Sequence, residues 1–245
     1  MKKLFILATV LTATAAHACD KCGNYDNPDF KITSVTVQHD ARIAATVWEL
    51  HVEGTAGKTT PAPAGHLNGA PVLGYVFPTS LLPTDVGFSA TEGIVALALT
   101  SHPDFDDTPL WDENADRNYA NDGIVWHPHW VVLTEDKRVA GGLAVKQFAK
   151  GDTSVKLPPT NPGMPMYMDS PGYQVITEGN TIRVIVPDYR MSNKVDFKFD
   201  GVACYMEVNT GGAGAAHGTG DKPMLGVYKV YSVASKDLSL PYTVK

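Results

Sequence analysis

The densest chemistry in the chain lies in one run, Val125-Trp126-His127-Pro128-His129-Trp130-Val131-Val132-Leu133. In an extended chain alternate residues share a face, which places His127 and His129 together beside Val125, Val131 and Leu133. The opposite face carries Trp126, Pro128, Trp130 and Val132. Both faces are apolar, so the strand is expected to be central or well covered. Buried imidazoles need partners, because an unsatisfied buried polar group costs about 1–3 kcal/mol. A divalent or cuprous ion is one such partner, because two rings projecting in parallel can both reach it. Pro128 has no amide proton, which predicts an edge or a bulge at that point and an opening for a ligand.

A further ligand must come from elsewhere in the chain. In Val47-Trp48-Glu49-Leu50-His51-Val52-Glu53 the face bearing Glu49, His51 and Glu53 opposes the one bearing Trp48, Leu50 and Val52. His51 is the leading third ligand, with Glu49 orienting it or binding the ion itself. His39, His66, His102 and His217 are less constrained, although His102 precedes Pro103-Asp104 at a strand end and can reach a site at the strand mouths. Met164, Met166 and Met168 alternate in a proline-rich loop. Thioethers are soft donors that favour Cu(I), although methionines also simply fill irregular gaps. If both segments serve one ion, softness selects copper over zinc. A separate acidic loop presents Asp112, Asn114, Asp116 and Asn118 at the alternate positions of a calcium loop, with Arg117 and Gly123 departing from that pattern. Asp104, Asp106 and Asp107, just upstream, either supplement that loop or keep it solvated.

Two resemblances attach to these residues. The HPHW strand with a separate ELH is similar to the zinc-ligand strands of α-class carbonic anhydrases, where an HxHW strand supplies two ligands and an ExH strand the third. Here ELH precedes HPHW, the reverse order, and the activity is not carried over. Histidines flanked by Trp126 and Trp130 also resemble the copper-binding surface proteins of methane-oxidising bacteria, which hold Cu(I) with two histidines and an oxidised tryptophan. That likeness implies copper chemistry only.

The elements that would position these groups are strands. Period-two runs rich in Val, Ile, Thr and aromatics cover residues 30–39, 43–53, 72–77, 93–100, 123–134, 173–177, 181–187, 195–199, 202–209 and 224–234. Glycine-containing turns separate them, and short helical turns are expected at 79–84 and 145–148. The prediction is an all-β fold, a β-sandwich or distorted barrel of about ten strands with long functional loops. Residues 19–245 read as a single β-sandwich domain, because no low-complexity linker divides them. Twenty basic against 26 acidic residues leave a formal charge of −6, which lacks the electrostatic footprint of a nucleic-acid binder. No run after the first 18 residues is long and apolar enough to be a transmembrane segment.

Residues 1–18 have the form of a secretory signal peptide: Lys2 and Lys3, an apolar stretch, and the small-residue exit Ala16-His17-Ala18. Export to the periplasm or cell surface is expected, with Cys19 as the new N-terminus and a thiol for lipid anchoring at the outer surface. Three cysteines cannot all pair within one chain. Either Cys22 joins Cys204, closing a long loop for roughly 4 kcal/mol in the chain-entropy model, or Cys19 and Cys22 close a small ring. No GxSxG elbow, Walker loop or HExxH is present. The sequence therefore points to an exported transition-metal-binding protein, copper before zinc, in metal acquisition, storage or delivery and not firmly an enzyme. A three-histidine zinc metalloenzyme and a non-catalytic surface or interaction domain are the alternatives.

Overall fold

A computed structural model describes residues 19, 21–108, 122–210 and 221–245. The acidic run Asp112, Asn114, Asp116 and Asn118, as well as His217 and the leader, lie outside the described residues. The chain forms strands β1 (Ile32–Asp40), β2 (Ala45–Val52), β3 (Ala70–Pro78), β4 (Ile94–Ser101), β5 (His127–Glu135), β6 (Leu143–Val145) and β7 (Met168–Asp169). It continues with β8 (Val175–Glu178), β9 (Thr181–Pro187), β10 (Lys198–Phe199), β11 (Val202–Val208), β12 (Leu225–Val233) and β13 (Tyr242–Thr243). The helical segments are short 3-10 turns. The all-β expectation holds. The turn expected at 79–84 falls later, at Pro83–Val86. The stretch 145–148 is extended instead, because Val145 pairs with Leu133 and Gln147 bridges to Met166.

One sheet runs β4-β3-β11-β12-β6-β5-β7, and β4 also pairs with β5, which closes six of these strands into a barrel. A second sheet, β1-β2-β9-β8, is open. Alternation sorts the barrel residues into two cores. Leu73, Tyr75 and Phe77 of β3, Leu97 and Leu99 of β4, Trp130 and Val132 of β5 and Tyr205 of β11 point outward. They join Trp48 and Leu50 of β2 and Ile182, Val184 and Val186 of β9 in the core between barrel and open sheet. Trp48 is its centre, with ring centroids 5.4 Å from Phe77, 5.9 Å from Trp130 and 5.2 Å from Phe197. Its indole nitrogen donates to Thr46 Oγ1 at 2.8 Å, so the buried donor is satisfied.

The lumen has a different composition. Ala70, Val72, Val76, Ala96, Ala98, Val131, Val202, Cys204, Met206 and Val208 point into it. Gly74 also falls on this side, where a Cβ would press on the Met206 methyl. The aromatic side chains pack outside the barrel, and small residues and thioethers occupy its interior.

Cys19 and Cys22 form a disulfide, and Cys204 is a buried free thiol. Of the two pairings left open by the sequence, the small ring is the one observed. Burial in the lumen pushes the Cys204 thiol up to about 12, so it remains protonated.

Truncating Trp48 to Ala removes the side chain shared by both sheets. It should destabilise the protein by about 3–5 kcal/mol, read as a lowered urea midpoint with retained cooperativity.

Candidate metal centre

The site forms where β4 ends and β5 begins. Antiparallel pairing sets Thr100 opposite His127 and Ala98 opposite His129. His102 follows the last residue of β4, and its amide donates to Gly123 O at 2.6 Å. Its ring lies flat on Phe105, with centroids 3.9 Å apart and planes within 3°. Gly123 is needed here because a Cβ would press on the carbonyl oxygens of His102 and Phe105 and on His102 Nδ1. The chain then brings Asp107 back over the barrel end. His102, Asp107, His127 and His129 are all buried, and one ligand atom from each lies within 4.8 Å of the others. This group could hold a metal ion.

The hydrogen bonds around the cluster fix its electronic character. His102 Nδ1 is 2.9 Å from Phe105 O, and His127 Nδ1 is 2.5 Å from Val125 O. Carbonyl oxygens only accept, so both nitrogens carry the proton. His129 Nδ1 is 3.0 Å from Ser170 Oγ, whose own proton goes to Asp107 O at 2.6 Å. The serine oxygen must therefore accept from His129. In its neutral form each of the three rings is therefore the Nδ1–H tautomer, with its Nε2 lone pair facing inward.

These acceptors are close together. His102 Nε2 and His127 Nε2 are 3.0 Å apart. Asp107 Oδ1 is 3.2 Å from His102 Nε2 and 3.1 Å from His127 Nε2, and Asp107 Oδ2 is 3.4 Å from His129 Nε2. Thr100 Oγ1 lies 3.2 Å from His127 Nε2. Among the described residues, His129 Nε2 and Asp107 Oδ1 are buried with no hydrogen-bond donor. Ligands bound to a tetrahedral ion at about 2.0–2.1 Å are about 3.3 Å from one another, and the contacts of 3.0–3.4 Å lie near that spacing within a group whose ligand atoms all fall within 4.8 Å. Carbonyls and a serine hold the far side of each ring, as the outer partners of metal-bound histidines do.

Burial pushes His129 down to about 3, against the opposing pull of Asp107, so the ring is neutral at ordinary pH and presents a lone pair. Burial alone would push the Asp107 carboxyl up. Attraction to the His129 and His102 rings when they carry a second proton, with hydrogen bonds from His102 and His127, outweighs it and holds the carboxyl well below its ordinary value. The cluster therefore presents one ionised carboxylate and neutral imidazole nitrogen, the protonation state that metal binding requires.

His127 and His129 share the lumen face, beside Val131 and Leu133, as their alternation predicts. β5 is buried throughout the run, and Pro128 falls where only β4 is paired beside it, since pairing with β7 begins at Trp130. His51 and Glu49 are not brought to this group. They lie on the outer face of β2, where His51 Nδ1 meets Thr181 Oγ1 at 2.9 Å and Glu49 pairs with Arg183. The aromatic core separates them from the lumen, because Trp48 and Leu50 point into that core from the other face of β2. The ExH strand of the carbonic-anhydrase likeness thus lies apart from this group.

Trp126 and Trp130 also point into the aromatic core, away from the histidine rings, and their indole nitrogens donate to Gly57 O and Tyr173 OH. Met164, Met166 and Met168 line the same lumen cavity as His129. His39 pairs with Asp188 at 2.8 Å, and His66 is exposed. Asp107 was legible only as part of an acidic loop, because nothing in its spacing signals that the chain folds back over the barrel end. His102 had one usable signal, its position at the end of a strand paired to the HxH strand.

Two outcomes follow from this geometry. Ser170→Ala removes the acceptor that orients His129 and should weaken metal binding about 10–100-fold, read by competition with a chelating dye. His129 should also give the chelator-treated protein a pH signature. Its folded value, about 3, lies below the ordinary 6.5, so between them the unfolded chain binds a proton that the folded chain does not. The stability is complete above pH 6.5 and falls as the pH drops toward 3, by up to about 1.4 kcal/mol per pH unit from this group. Urea midpoints that stay flat across that window in wild type, or fall as steeply in His129→Gln, would contradict the assignment. No family model, curated protein or solved structure matches the chain, so its function has to be inferred from the geometry of these four side chains.

Proposed function

We propose that the chain is an exported protein that binds a single transition-metal ion, copper before zinc, through His102, Asp107, His127 and His129, in metal acquisition, storage or delivery. The observation that carries this reading is the convergence of three inward imidazole nitrogens and one ionised carboxylate in a buried space, with His129 Nε2 and Asp107 Oδ1 left without donors among the described residues. Nitrogen and carboxylate donors favour a divalent ion, and Cu(II) stands above Zn(II) in the affinity order for such sites. The methionines lining the adjoining cavity add soft donors suited to the reduced ion. Four protein ligands would fill a tetrahedral shell, which favours holding the ion over activating water. Export is supported by the leader-like first 18 residues and by the Cys19–Cys22 disulfide, a bond typical of oxidising compartments.

A zinc metalloenzyme is the second reading. The lumen cavity that reaches His102, Asp107 and His129 favours it, because such a space leaves one side of the ion accessible.

Metal analysis and calorimetry with Cu(II), Cu(I) and Zn(II) test both readings. The expected result is about one ion per chain, copper binding more tightly than zinc. Binding should be lost in the His127→Ala/His129→Ala double variant and kept in Glu49→Ala/His51→Ala. Full stoichiometry in the histidine double variant would overturn the site. Tighter zinc accompanied by ester hydrolysis or CO₂ hydration would replace carriage with catalysis. Export is checked separately by cell fractionation and intact mass, the expected mature chain beginning at Cys19.

A further inference from the structure

The barrel lumen is not filled. It encloses a cavity of about 120 Å³. One cause is the short inward side chain of Ala98 on β4, which lines the cavity where a larger residue would close the space. The walls are mainly aliphatic or thioether, with Val76, Val131, Val202 and Met206 typical of them, and include the Phe105 ring and the Cys204 thiol. Among the described residues the polar lining is Thr100, His102, Asp107 and His129, and these belong to the candidate metal centre or adjoin it. Ile94 and Leu238 also line the cavity and are 40% and 37% exposed, so the space has an apolar mouth.

The segment beside that mouth is conformationally unusual. Lys236, Leu238 and Leu240 have φ of 78°, 58° and 52°, left-handed values that non-glycine residues avoid. Two of these three residues, Leu238 and Leu240, line the cavity. Backbone held in a disfavoured region in this way points to a functional constraint.

We infer that the lumen is a binding pocket for a small, uncharged, apolar molecule no larger than a single aromatic ring, seated with one side against His102, Asp107 and His129. Size and chemistry fix the occupant class. An apolar cavity of about 150 Å³ remains dry and takes benzene or xenon, and a charged ligand would find no counter-charge on the aliphatic walls. The pocket stands on its own lining. Its apposition to an ion rests on the proposed metal site.

The test is benzene titrated into the metal-loaded protein, followed by methyl NMR, with benzoate as the charged comparison. Benzene should shift the methyls of Val131, Val202 and Met206 saturably, and benzoate should leave them unmoved. Val76→Leu, which extends a side chain into the space, should weaken benzene binding at least tenfold while the metal content stays at the wild-type level. Val202→Leu should do the same from the neighbouring strand β11, in case the first variant folds poorly. Benzene affinity unchanged in both folded variants, or shifts confined to surface methyls, would overturn the pocket. Metal content measured on the same samples separates the two readings. A protein that saturates with benzene and holds no metal keeps the pocket and loses the metal site, and the reverse result does the opposite.

Discussion

Four acceptor groups converge on one buried space at the end of the barrel, and much of the local structure follows from that convergence. A proton on each Nδ1 is held by an oxygen, so each Nε2 turns a lone pair inward toward a carboxylate. Lone pairs at 3.0–3.4 Å repel unless a positive charge lies among them. Two of the acceptors are sealed from solvent with no donor among the described residues, where the unmet desolvation is most expensive. A cation resolves the repulsion and the unsatisfied acceptors together.

The barrel keeps this centre isolated by an inside-out distribution of side chains. Large aromatics on β3, β5 and β11 point away from the lumen and form the core against the open sheet. That core carries Trp48, Trp130 and Phe77, the bulk expected to dominate hydrophobic stabilisation. Because stability is secured outside the barrel, the lumen can be lined with alanine, valine and methionine and still leave space beside the histidines. The same alternation explains why two tryptophans adjacent in sequence to the histidines do not share their environment. One residue along a strand is a change of face.

The sequence made some of this legible and left the rest hidden, for physical reasons. Alternation is a local property of an extended chain, so the shared face of His127 and His129 and the burial of both faces of β5 could be read directly. The strand runs were also readable, although pieces as short as Met168–Asp169 and Tyr242–Thr243 carry too few residues for a period to show. Ligands from other elements depend on register and on which face meets which. His51 has the spacing of a ligand, but β2 belongs to the open sheet and its histidine face turns away from the barrel. His102 and Asp107 are supplied by a loop whose path is set by close approaches at Gly123 and by the Phe105 ring, and neither has a periodic signature.

The segment 166–170 shows how tightly site and lumen are joined. Met166 and Met168 turn into the cavity, and Met168 pairs with Val131 of β5. Asp169, next in sequence, is buried and bonded to Thr160 and Arg190, which anchors the backbone from the outside. Ser170 then accepts from His129 and donates to Asp107, linking two prospective ligands through one hydroxyl. A shift of this segment that made room in the lumen would also move the serine oxygen, and with it the ring orientation of His129. The anchoring of Asp169 opposes that shift. The geometry of the candidate metal centre is thereby shielded from movement in the lumen, where the flexible, unbranched thioethers can change rotamer without moving the backbone.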